Sequence, residues 1–177
     1  MNQTTGFRAS IPDPGMVGLY DLWDRLRREL GRLPLRQEIG PLDLPPEALP
    51  TMMILEREPS GRIRCRLAGT MMREIYKFEA KGWYLDEVLP SGATAVRVGI
   101  YERVLREECA ALCRMRLAIP GREFIATDRI YVPALGDAPD RPTVILSVQR
   151  FLYAADVVGE PDADGVYELR FDEPMDD

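Results

Sequence analysis

The chain has 177 residues, 46% hydrophobic and 29% charged, with a net charge of −6, the size and composition of one ordinary globular domain. It contains no histidine, which excludes Ser-His-Asp and Cys-His nucleophiles, histidine-ligated haem and imidazole zinc sites, because each needs a ring nitrogen as base or ligand. The charge is uneven: residues 156–177 carry −8 on a body of +2, which argues against nucleic acid as a partner, since binding a phosphate backbone needs a basic face.

Residues 1–18 are expected as a flexible arm, with Pro12, Pro14 and Gly15 and no apolar period. Residues 19–50 combine a helix with a proline-rich connection. Leu19, Leu22, Trp23, Leu26 and Leu30 recur at spacings of three and four, an amphipathic stripe closed by Gly31. Pro34, Pro41, Pro45 and Pro46 then forbid a continuous helix.

Residues 51–155 read as an α/β core. Met52–Glu56 is an apolar strand and Pro59-Ser60-Gly61 a turn. Arg62–Gly69 alternates, placing Ile63, Cys65 and Leu67 on one face. Thr70 has N-cap chemistry for a short helix over Met71–Phe78, and Leu85–Leu89 forms a further turn. Thr94–Cys109 is a longer helix with Val96, Ile100, Tyr101, Val104 and Leu105 on one face. Strands at Leu112–Ile119, Phe124–Val132 and Thr143–Phe151 follow, joined by short turns at Pro120-Gly121 and 136–140, so they pair antiparallel. Residues 156–177 form an acidic tail with one strand-like hexad, Val166–Phe171; its shortage of apolar side chains predicts that folding does not depend on it.

Two strands, short helices, a longer helix and three antiparallel strands follow the order of the PAS fold. Trp23 in the leading helix, Leu33-Pro34-Leu35-Arg36, Ile39-Gly40-Pro41-Leu42-Asp43-Leu44-Pro45, Arg66-Leu67-Ala68-Gly69-Thr70 and Gly82-Trp83-Tyr84-Leu85-Asp86-Glu87 together resemble the stand-alone alphaproteobacterial PAS family called PAS_5, over about residues 19–153. The resemblance implies an α+β fold: a five-stranded antiparallel sheet with helices over one face, preceded by the amphipathic helix. It also implies a role as sensor or interaction module, whose output is another protein.

Three cysteines, an odd count, and no signal core or membrane-length apolar run give a cytoplasmic expectation with free thiols. Cys109 and Cys113 with Cys65 fall short of a four-ligand metal site, so no metal is expected, nor haem or flavin. Glu107-Glu108 and Asp86-Glu87 are sequence neighbours that do not face each other on a helix. A carboxylate-based enzyme is therefore the least supported class, and no catalytic residue is assigned.

A ligand pocket between sheet and helices is expected to be lined by Cys65, Leu67, Tyr76, Tyr101, Met115 and Arg129; the alternative is that these side chains fill an ordinary core. The stripe of Leu19, Leu22, Trp23 and Leu26 is expected as a homodimer interface, against the alternative that it packs on its own sheet. The reading is a cytoplasmic PAS sensor or adaptor in bacterial signalling. It binds a partner protein and a small molecule, with a ligand-free structural interaction module as the alternative.

Overall fold

The computed structural model describes residues 3–137 and 141–173. Residues 138–140 of the expected 136–140 turn, the last four residues of the acidic tail and the first two of the arm lie outside them. The expected arm is largely helical. Helix α1 spans Gln3–Ala9 and helix α2 spans Pro14–Leu30, and Phe7 and Ile11 are buried. Proline fits the first turn of α2, where its missing N–H is no loss. The Asp13 carboxylate caps that turn, accepting from the amides of Gly15 (2.9 Å) and Met16 (3.2 Å). Gly31 ends α2 in the left-handed conformation.

The proline-rich connection forms three short 3-10 turns, Arg36–Glu38, Pro41–Asp43 and Pro46–Thr51. It lies against α2 so closely that a Cβ on Gly18 would fall 2.4 Å from the Pro45 ring. Strands β1 (Met53–Arg57) and β2 (Ile63–Ala68) form the first hairpin. Gly69 follows, and a side chain there would collide with the Leu49 and Pro50 carbonyls. It caps helix α3 (Thr70–Tyr76), so Thr70 is the first helical residue and not the cap. Helices α4 (Leu85–Val88) and α5 (Ser91–Glu107) come next, then β3 (Ala111–Arg116), β4 (Ile125–Leu135) and β5 (Pro142–Tyr153).

The tail contributes a sixth strand, β6 (Val166–Phe171), antiparallel to β3. The antiparallel sheet therefore has six strands where five were expected, in the order β2-β1-β5-β4-β3-β6. Beyond β6 the Asp172 carboxylate is buried and accepts the Tyr20 hydroxyl at 2.6 Å, with Arg27 at 3.6 Å. The tail is tied to α2 by that contact.

Side-chain alternation gives the sheet two apolar faces, and both are covered. On the inner face, α3 and α5 pack on Ile145, Tyr131, Cys113 and Leu55. On the outer face, α2 and the proline-rich turns pack on Leu112, Ile130, Val132, Leu146 and Val148. Helices over one face was thus half of the arrangement. The expected dimer stripe is corrected by the same observation: Leu19, Leu22 and Trp23 are buried in the protein's own outer core and Leu26 packs against it. The Trp23 indole donates to the Pro133 carbonyl at 2.8 Å, inside the fold.

Candidate functional site

The inner face holds a cavity between the sheet, α5 and the segment running from Phe78 through α4 to Leu89. Its enclosed volume is about 50 Å³, within a cleft of about 610 Å³ that opens to solvent. One water needs roughly 10–15 Å³ of such enclosed space, so the interior has room for a few non-hydrogen groups. Most of the wall is apolar, with Met53, Leu55 and Ile63 from β1 and β2 and Leu117 and Ile119 from the loop after β3. Trp83, 49% exposed, stands at the mouth.

The mouth segment is held by backbone bonds to the outer edge of β2. The Cys65 amide donates to the Trp83 carbonyl (2.9 Å), and the Gly82 amide donates to the Cys65 carbonyl (2.8 Å). Gly82 takes φ of +93° to do so, a conformation that favours glycine.

The polar part of the wall is concentrated. Arg97 lies one helical turn before Tyr101 on α5, and Arg129 and Tyr131 point inward from β4. Arg129 donates to the Tyr76 hydroxyl (3.2 Å) and to Thr127 (2.9 Å), and Arg97 donates to the Tyr131 hydroxyl at 3.4 Å. The Tyr101 and Tyr131 rings meet edge to face, 5.2 Å between centroids. Burial pushes the Cys65 thiol up to about 11 and lifts the Tyr101 phenol well above its ordinary range. Both are neutral at physiological pH, so the wall offers no thiolate nucleophile at Cys65.

Over residues 13–146 the sequence matches the PAS_5 family of PAS domains. The chain belongs to this family. No curated protein and no solved structure matches it. Family membership makes the protein a signalling sensor or interaction module, since PAS domains are generally sensory and often mediate protein contacts. No helix of the described residues is long and apolar enough to cross a membrane.

In this PAS domain the cavity wall includes Cys65, Tyr76, Tyr101 and Arg129, four of the six residues expected there. Leu67 is not among them and is 40% exposed. The cause is a register shift: Cys65 pairs with Leu55 and Leu67 with Ile54, consecutive residues of β1, so Arg66 is left over between them. Such a bulge reverses the alternation, and Leu67 follows Ile54 to the outer side. Met115 is buried in the inner core beside the cavity without reaching its wall, which Leu117 and Ile119 form instead.

Sequence reasoning missed Arg97 and Trp83 in this PAS domain, whereas Tyr131 and Ser147 are inward residues of the last two core strands, β4 and β5, which were expected to line the pocket without being named. Arg97 carried a usable signal. It precedes Tyr101 by four and Val104 by seven, the spacing that puts three side chains on one helix face.

Proposed function

We propose that the protein is a PAS sensor whose inner cavity takes a small ligand non-covalently and whose occupancy alters its affinity for a partner signalling protein. The supporting observation is the cavity itself. Protein interiors are normally filled to crystal-like density, whereas this one keeps enclosed space next to a cleft, bounded by a segment that rests on β2 through main-chain bonds. A ligand touching both the sheet and that segment favours the arrangement in which they meet. The shift in population is set by its differential affinity for the two arrangements. At a ligand concentration 100 times Kd the stabilisation is about 2.7 kcal/mol, enough to bias a surface that a partner reads.

Native mass spectrometry of freshly purified protein, paired with Cys65→Phe, tests this. The larger ring projects into the free space, so a sensor loses its retained ligand mass while its unfolding free energy stays within about 1 kcal/mol of ligand-stripped wild type. Wild type without any bound mass, together with a loss beyond about 2 kcal/mol in the variant, would leave a structural interaction module with a filled core.

A further inference from the structure

Arg97 and Arg129 are 3% and 5% exposed and line the same cavity from different elements. Among the described residues no carboxylate lies within 4.0 Å of either. Among the described residues their hydrogen bonds run to hydroxyl oxygens, those of Tyr131, Tyr76 and Thr127. A guanidinium carries five N–H donors, and hydroxyls neither use all of them nor neutralise the charge. A buried charge without a counter-charge is strongly unfavourable, and native proteins pair such groups.

The outer face of the same strand shows the paired form. Asp128, next to Arg129 in sequence and buried on the opposite side, accepts from Arg114 at 2.6 Å and from Arg150 at 3.1 Å. Two arginines there share one acid. Arg97 and Arg129 are two cations on one cavity wall with no such acid beside them among the described residues. The rest of the wall is hydrocarbon, supplied by Met53, Leu55, Ile63, Leu89, Leu117 and Ile119.

We propose, resting on the sensory reading of this cavity, that its ligand is a small amphiphilic carboxylate: the acid group sits between the Arg97 and Arg129 guanidiniums and a short hydrocarbon body lies on the apolar wall. The planar fork of a guanidinium matches the two oxygens of a carboxylate. The enclosed volume of about 50 Å³ corresponds to roughly three to five water-sized groups, which holds the acid group and its first carbons, while the rest of a six-carbon chain extends into the cleft towards the Trp83 mouth.

Calorimetric titration and thermal shift on the full chain, with hexanoate, hexanamide and inorganic phosphate as probes, decide the matter. Hexanoate raises the melting temperature and binds at least about tenfold more tightly than hexanamide, the difference expected for charge-assisted bonds in a buried site. Arg129→Met and Arg97→Met weaken hexanoate about tenfold or more and leave hexanamide unchanged. If a methionine variant fails to fold, Arg97→Lys, which keeps the charge and loses the fork, weakens hexanoate by less than the full factor and keeps the circular dichroism of wild type.

Equal binding of hexanoate and hexanamide overturns the carboxylate and leaves the sensory cavity standing. Phosphate binding more tightly than hexanoate overturns it in favour of a phosphate group. No response to hexanoate overturns it outright, and the retained-ligand measurement on untreated protein then stands as the separate test of the sensory reading.

Discussion

Trp23→Ala separates two places for helix α2, inside the protein's own core or between two copies. The indole is fully buried, and truncating a buried tryptophan to alanine removes about 3–5 kcal/mol through lost transfer energy and the cavity left behind. Its N–H bond to the Pro133 carbonyl at 2.8 Å contributes about 1 kcal/mol more. Arg27 stacks over the ring at 4.3 Å, worth about 0.5–1 kcal/mol. The combined loss is about 4.5–7 kcal/mol, against a total stability of about 5–15 kcal/mol for a domain. At about 2–4 °C per kcal/mol for a chain of this length, the melting temperature falls by about 9–28 °C. Urea unfolding followed by far-ultraviolet circular dichroism measures the loss, with light scattering on the same samples. Trp23→Phe, which keeps a ring and deletes the indole N–H, falls between the two. A Trp23→Ala protein within about 1 kcal/mol of wild type that also changes from dimer to monomer would refute the placement of α2 on the sheet.

Ending the chain after Asp164 removes β6 and the Asp172 contacts to Tyr20 and Arg27; the melting temperature is expected to drop by at least about 5 °C, and an unchanged value would show that β6 does not dock. Burial raises the Cys65, Cys109 and Cys113 thiols from 9.0 to about 11. A group whose pKa is raised on folding stabilises fully below its unfolded value and loses that contribution as pH climbs to the folded one. Urea midpoints should therefore hold steady up to about pH 9 and decline towards pH 11, and Tyr20 and Tyr101, also raised by burial, extend the decline above pH 10. A midpoint flat to pH 11 would contradict the burial of all three thiols, and Cys113→Val should lessen the slope.

Local periodicity located most elements to within a few residues, because strand alternation and helix spacing are properties of adjacent side chains. What it could not supply was the partner of each apolar face. The stripe through Leu19, Leu22 and Trp23 says that one side of α2 leaves water; the residues that receive it, such as Ile130 and Leu146, lie more than a hundred positions away. The same limit hid β6. Val166–Phe171 has a strand's composition, but its docking depends on the free edge of β3 and on a carboxylate pocket built by Tyr20 and Arg27.

At the site, Cys65, Tyr76, Tyr101 and Arg129 were legible as inward positions on regular elements. Leu67 misled because strict alternation fails at the bulge opposite Ile54 and Leu55. Arg97 was passed over because a charged residue on an amphipathic helix is ordinarily a solvated one.

The two main-chain bonds between Cys65 and the Gly82–Trp83 peptide have a kinetic meaning. β2 is an outermost strand, and the mouth segment occupies part of its outer edge, so the same pair of bonds closes the cavity and covers the sheet margin. A molecule too bulky to slip past Trp83 must wait until both bonds open and two β2 backbone groups meet water. The residence time of such a molecule then depends on how often one short stretch of edge frays as well as on how tightly the interior holds it. The amide hydrogen of Cys65 reports that event: its protection from exchange with solvent deuterium measures the free energy of the opening.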